Sequence, residues 1–206
     1  MSAHLYTYTN PPSEKHLSQI CDVLDNHGVI ALPMKTNWAF CCKANSKKGI
    51  ARIRQLKPNH PEKRPFSLVC SDLNMVSQYA QMGGQSYRIL RKILPGAYTI
   101  ILKSSSNLTK QLHDKRRTVG VRIPNEEITK KIIERFGEPI LATSVPLDED
   151  GQVLQMGYQV YEKHGHGLSL VVDLGDELPG TETTIFDMSE NEIILIREGV
   201  GSIEIG

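Results

Sequence analysis

Three stretches of this 206-residue chain gather side chains that could hold an anion. The first is Arg52-Ile-Arg-Gln-Leu-Lys-Pro-Asn-His-Pro-Glu-Lys-Arg-Pro-Phe, which carries Arg52, Arg54, Lys57, Lys63 and Arg64. Its three prolines stiffen it into a shaped loop. The second, Lys115-Arg116-Arg117-Thr118, runs directly into Val119-Gly-Val-Arg-Ile-Pro. Arg122 stands there between Val121 and Ile123, so it points away from the face those two apolar residues share. The third is Arg197, which ends the apolar run Ile193–Ile196 and leads into Glu198-Gly-Val-Gly. Each stretch adjoins a predicted strand, and ligands in open α/β sheets sit at strand ends. The chemistry that fits is neutralisation of phosphate or carboxylate. A plain solvated loop, or an ordinary surface arginine, is the alternative at each place.

No single local motif carries this chemistry. The chain has no GxxxxGKS phosphate loop, no GxGxxG after a strand, no GxSxG and no HExxH. His164-Gly-His-Gly could attract a metal, but no partner cysteine or acid stands near it. It reads as flexible surface, and no Cys/His metal site is expected. The ligand groups must therefore converge from several strand ends.

The elements that would bring them together are legible. A strand near Leu5–Tyr8 precedes a helix capped by Ser13, with Leu17, Ile20, Cys21 and Leu24 on one face and Gly28 as its left-handed cap. Val29–Leu32 is a buried strand, Lys48–Gln55 a helix, Phe66–Cys70 a strand, and Asp72 caps a short helix. A helix over Gln85–Leu94 stops at Pro95-Gly96, and Tyr98–Leu102 follows as a strand. Val119, Val121 and Ile123 alternate as a strand, then Asn125 caps a helix through Ile128, Ile132, Ile133 and Phe136 to Gly137. Short strands are predicted at Ile140–Ala142, Ser169–Asp173, Thr184–Asp187 and Ile193–Ile196, and Pro146–Gly167 reads as a mobile loop with one short helix.

Several strands lack a helix between them, which favours a mixed, twisted, open sheet flanked by helices in a single α/β domain over residues 1–206. Lys+Arg 24 against Asp+Glu 23 leaves no global field to draw the chain onto nucleic acid or membrane. No apolar run reaches the roughly 20 residues that span a bilayer, and the start Met-Ser-Ala-His is unlike a signal peptide. Cys21, Cys41, Cys42 and Cys70 have no CxxC spacing and read as reduced core residues, so a cytoplasmic location is expected. On a strand, Cys41 and Cys42 would point to opposite faces.

Taken in order, these stretches resemble the YrdC/YciO family, and the likeness runs through nearly the whole chain. The pieces are Gly28-Val-Ile-Ala-Leu-Pro-Met-Lys-Thr, the Arg54 to Phe66 region, Pro95-Gly-Ala-Tyr-Thr, Arg117-Thr-Val-Gly-Val-Arg-Ile-Pro, Ala142-Thr-Ser-Val, Glu182-Thr-Thr-Ile-Phe-Asp and Leu195-Ile-Arg-Glu-Gly. The resemblance implies a YrdC-like fold with a concave basic cavity and, for the family's enzymes, threonylcarbamoyl-adenylate synthesis from threonine, bicarbonate and ATP with Mg²⁺. It implies amino-acid or bicarbonate contacts for Thr36, Arg64, Arg122 and Thr183, and nucleotide contacts for Arg54, Lys57, Thr118, Ser144 and Arg197. Of these, Arg54, Lys57 and Ser144 would serve the chemistry.

The chain departs from the synthases' pattern. Pro146 stands where an SxN motif would have asparagine, Met34-Lys35-Thr36-Asn37-Trp38 lacks the expected acid and tyrosine, and the KxR motif is not intact. This is closer to the YciO branch, and implies weak or altered activity in tRNA modification. The alternative is a non-catalytic double-stranded RNA-binding protein using the same cavity. The near-zero net charge favours nucleotide over RNA.

Overall fold

The computed structural model describes residues 3–61, 65–112 and 115–205. In chain order the elements are β1 (Ala3–Tyr6), α1 (Glu14–Asp25), β2 (Val29–Pro33), β3 (Trp38–Lys43), α2 (Lys47–Leu56), β4 (Ser67–Val69), α3 (Leu73–Tyr79), β5 (Ala80–Gln81), α4 (Gly84–Ile93) and β6 (Tyr98–Ser104). There follow α5 (Ser106–Leu112), β7 (Thr118–Arg122), α6 (Glu127–Phe136), β8 (Ile140–Ser144), α7 (Gly157–His164), a 3₁₀ turn (Gly165–Gly167), β9 (Leu170–Asp173), β10 (Thr184–Asp187) and β11 (Ile194–Arg197). All strands join one sheet in the order β1-β9-β2-β3-β8-β4-β7-β6-β10-β11, with β5 added against β6. Parallel pairs (β1 with β9, β9 with β2, β4 with β7, β10 with β6) stand beside antiparallel ones, so the sheet is mixed as expected.

Local chemistry sets the helix limits. The Ser13 hydroxyl accepts the His16 N–H at the start of α1, and the Ser46 hydroxyl accepts the Gly49 N–H at the start of α2. Pro58 cannot continue a helix, so α2 stops with Lys57 as its C-terminal cap. Gly137 ends α6 at φ 79°, in the left-handed region.

Two of the sequence expectations need correction. The left-handed residue after α1 is His27, at φ 60°, not Gly28. Gly28 is needed for space, because a Cβ there would lie 2.6 Å from the Val23 side chain. Glu126, not Asn125, precedes α6, and its side chain makes no capping bond.

Each face of the sheet packs differently, and the difference creates the site. On one face Ile53 and Leu56 of α2, Val76 of α3, Leu90 of α4, Leu108 of α5 and Val160 of α7 pack against Phe40, Leu68, Ile100, Val119 and Val121. On the other face Leu17, Ile20 and Leu24 of α1 join Ile128, Ile132 and Ile133 of α6. They cover Leu170, Ile30, Leu32, Ala39, Cys41, Ile140 and Val69, from β9, β2, β3, β8 and β4. Strands β7, β6, β10 and β11 contribute nothing to that second core. Half of one sheet face is therefore left without a helical layer. Cys41 and Cys42 belong to opposite cores, as their adjacency requires, and the four cysteines are free thiols.

No helix among the described residues is long and apolar enough to cross a membrane. The segment expected to hold one short helix does so: α7 packs into the core through Val160.

Candidate functional site

The uncovered half of the sheet face is a cavity of about 520 Å³. Its floor follows from strand register. Alternation sends Val119, Val121 and Ile123 to the helix-covered core and leaves Thr118, Gly120 and Arg122 on the cavity side. Continuing the β6–β7 register one residue past Ile100↔Val121 places Thr99 beside Arg122. Thr99 pairs with Ile185 on β10, and Ile185 with Arg197 on β11. One row across the sheet therefore reads Arg122, Thr99, Ile185, Arg197. In the next row Gly120 has no side chain, and a Cβ there would sit 3.1 Å from the Ser67 hydroxyl.

Arg122 is the unusual group. It is half-buried, and among the described residues its guanidinium has no ion pair and no hydrogen bond. Desolvation, opposed by the Cys41 sulfur and reinforced by repulsion from Arg197, pushes its pKa down to about 10. It remains cationic at neutral pH. Arg197 is held rigidly: its Nε and one terminal nitrogen donate to the Thr183 carbonyl at 3.1 and 2.8 Å. Its other terminal nitrogen pairs with Glu182 at 2.9 Å. The Thr183 hydroxyl lies 2.9 Å from that of Thr99, so a polar chain runs from Arg197 toward Arg122.

The opposite rim is built from α2 and β8. Lys57 Nζ donates to the Ser144 carbonyl at 2.7 Å, the Ser144 hydroxyl at 3.0 Å and the Thr143 hydroxyl at 3.3 Å. Thr36 sits in a tight turn, its N–H bonded to the Met34 carbonyl at 2.7 Å, and its own carbonyl accepts the Thr181 N–H. This ties the β2–β3 turn to the loop before β10.

Of the residues proposed from sequence, Thr36, Lys57 and Thr118 line the cavity, as do Arg122, Ser144, Thr183 and Arg197. Arg54 does not line it; its guanidinium lies 5.3 Å from the centre of the Phe66 ring, a cation–π contact supporting that wall. Arg64 lies outside the described residues. Arg52 donates to the Gly167 and His166 carbonyls and Arg116 to the Phe66 carbonyl, so both also serve the fold.

Sequence reasoning missed Thr99, Gly120, Ser67, Asn59 and His60, all in the lining. Alternation on the predicted strands signalled the first two. Pro146 is not part of the lining, and Trp38 is core, its indole N–H bonded to the Gln155 carbonyl at 3.0 Å.

His164 corrects another expectation. It is buried at 8% exposure, edge-on to Phe40 with ring centres 5.1 Å apart, rather than part of a flexible surface. No group of three or more His, Cys, Asp or Glu able to hold a metal occurs among the described residues. Among the described residues the one carboxylate in the lining, Glu182, is already paired with Arg197.

The family model described as "Telomere recombination", covering Sua5, YciO and YrdC proteins, matches residues 22–199, and the chain belongs to that family. Within it the chain is similar to the YciO branch. It is 30% identical to "Uncharacterized protein YciO" of Escherichia coli over 99% of this chain and 98% of that one. The crystal structure of E. coli YciO superposes with a TM-score of 0.88 at 28% identity, covering 99% and 98% of the two chains. A threonylcarbamoyl-AMP synthase of Psychromonas ingrahamii is 27% identical, covering 85% of this chain and 94% of that one. None of these relatives is described as binding RNA, and the cavity's cations line a recess in the sheet rather than an outer surface. The RNA alternative therefore gains no support.

Proposed function

We propose that the protein binds ATP and a small carboxylic acid in a basic cavity on the uncovered sheet face, and catalyses a weak or altered form of threonylcarbamoyl-adenylate synthesis. The observation that carries this reading is Arg122: a desolvated guanidinium without an anionic partner among the described residues, at the floor of a cavity large enough for both ligands. Such a group is costly unless an anion completes it. Kinship with a threonylcarbamoyl-AMP synthase supports the reaction class.

In this reaction a carbamate oxygen, formed from bicarbonate and the amino group of threonine, bonds to the α-phosphorus of ATP, and the bond to pyrophosphate breaks. No strong base is needed; positioning and charge neutralisation dominate. Arg122 takes the carboxylate, with the Thr99–Thr183 hydroxyls beside it. Lys57, already aimed at Ser144, and Arg197 neutralise phosphate oxygens. Thr118 and Ser144 donate hydroxyl hydrogen bonds to the nucleotide, and Thr36 closes the amino-acid end. Arg64 belongs to the same basic loop and is assigned to the carboxylate or bicarbonate. The absence of an asparagine at position 146 removes one amide from the phosphate shell, the reason for expecting reduced activity. These ligands are in keeping with a cytoplasmic location.

The test is pyrophosphate release from ATP. It should require both threonine and bicarbonate and disappear in Arg122→Ala. No release at high protein concentration would reject the catalytic part of the reading.

A further inference from the structure

The β2–β3 turn brings an uncharged amide into the cavity. Asn37 is half-buried and lines it together with Thr36, Lys57 and Ser144. Two bonds fix the residue. Its backbone carbonyl accepts the Met34 N–H at 3.0 Å, which closes the turn, and its side-chain Oδ1 accepts the Trp38 N–H at 2.8 Å. A backbone N–H can only donate, so the amide oxygen must face Trp38 and the amide nitrogen must face away from it. Nδ2 is then a double donor with no acceptor among the described residues. The anchor is firm, because Trp38 is buried in the core with its indole N–H on the Gln155 carbonyl.

Strand register says where that nitrogen stands. Ala39 pairs with Ser144, and the Val145 N–H donates to the Trp38 carbonyl at 2.9 Å, which extends the β3–β8 ladder by one step. One step further, Asn37 falls opposite Pro146. Trp38 and Val145 point into the helix-covered core, so alternation returns Asn37 to the cavity side that Ser144 shares. Pro146 has no amide and is not in the lining. Asn37 and Ser144 are diagonal neighbours, about 7–8 Å apart, a gap that one phosphate group can bridge.

We propose that the Asn37 amide is a ligand-binding group, donating through Nδ2 to an oxygen of the phosphate that Lys57 and Ser144 hold. This role rests on the nucleotide binding proposed for the cavity. The amide that position 146 lacks is supplied from the facing strand. Neighbouring strands lie about 4.8 Å apart, so the donor draws the phosphate toward β3, in keeping with an altered reaction. A neutral donor also adds a hydrogen bond without adding to the charge that Lys57, Arg122 and Arg197 already bring to the lining.

Two variants separate ligand binding from support of the turn. Asn37→Asp keeps an oxygen for the Trp38 N–H but replaces the donor by a negative charge, whereas Asn37→Val removes both oxygen and donor. ATP with Mg²⁺ is titrated calorimetrically into the wild type and each variant, at about 0.05 M and about 0.3 M salt. Asn37→Val should weaken binding about 3- to 10-fold, the range of one neutral hydrogen bond. Asn37→Asp should weaken it further, about 30-fold or more at low salt, and the gap between the two should narrow at high salt as the charge is screened. If Asn37 only held the turn, valine would be the more harmful of the two and salt would not change their order. That result, or two variants that bind ATP as the wild type does, overturns the role given to Asn37 and leaves the nucleotide cavity standing. A wild type that does not bind ATP overturns both.

Discussion

Lys57 Nζ reaches from the C-terminal cap of α2 to the Ser144 hydroxyl at the end of β8, 3.0 Å away, and so spans one rim of the cavity. Both residues line the cavity, yet they stand 87 positions apart in the chain. The contact fixes the ammonium where a phosphate would meet it and orients the hydroxyl beside it.

Replacing Lys57 by Met should therefore weaken ATP binding by about 10- to 100-fold, the range of a lost charge-assisted contact of roughly 1.5–3 kcal/mol. Stability should fall by no more than about 1 kcal/mol, because the ammonium is partly solvated. Calorimetric titration and urea melts separate the two effects. A variant that binds ATP normally would remove Lys57 from the phosphate shell.

Arg122 should behave in the opposite sense. Its charge is desolvated and has no partner among the described residues, so Arg122→Met should leave stability unchanged or raise it by about 1–3 kcal/mol. The same variant should lose the stabilisation that phosphate or pyrophosphate gives the wild type. A lower melting temperature without any ligand would mean that the arginine serves the fold instead.

The buried hydroxyl pair of Thr99 and Thr183 makes a third case. Thr99→Val removes one partner and leaves the Thr183 hydroxyl with the Arg197 nitrogen 3.3 Å away. The expected cost is about 1 kcal/mol in a urea melt. Amino-acid binding should weaken more than ATP binding, because the pair adjoins Arg122. An equal loss of both would show only a general disturbance of the floor.

His164 gives the protein an acid sensitivity that is unrelated to the cavity. Burial first, then the charges of His166 and Lys163, lower its pKa to about 4, against about 6.5 in an unfolded chain. Its neutral form is favoured in the fold, so its full contribution is present above pH ~6.5. The contribution is lost as pH falls from there toward 4, where the unfolded chain takes up a proton that the folded chain refuses. The loss should amount to about 1–3 kcal/mol between pH 7.5 and 4. Urea midpoints at both pH values should show a smaller drop in His164→Phe than in the wild type; an equal drop would exclude the histidine as the source.

What could be read from sequence was the part set by local pattern. Alternation alone put Arg122 on the face opposite Val121, and Gly137 marked the end of α6. Strand β3 escaped because Trp38 to Cys42 are buried on both faces, which erases alternation. Arg54 and Lys57 look equivalent in sequence, but three residues of helix and a cap turn one onto the Phe66 ring and the other into the cavity. Thr99 was on a predicted strand, yet its importance depends on the cross-strand row through Ile185, which only the register supplies. The missing half-layer of helices, which makes the cavity, is likewise a property of the assembled sheet.

Arg122 is proposed to receive an anionic ligand in a nucleotide cavity. Calorimetric titration of ATP with Mg²⁺ into the wild type and into Arg122→Met, each with and without threonine and bicarbonate, tests it most directly. The expected result is saturable ATP binding to the wild type that tightens when threonine and bicarbonate are present, and no such tightening in the variant. Absence of ATP binding to the wild type, or the same tightening in Arg122→Met, would contradict it.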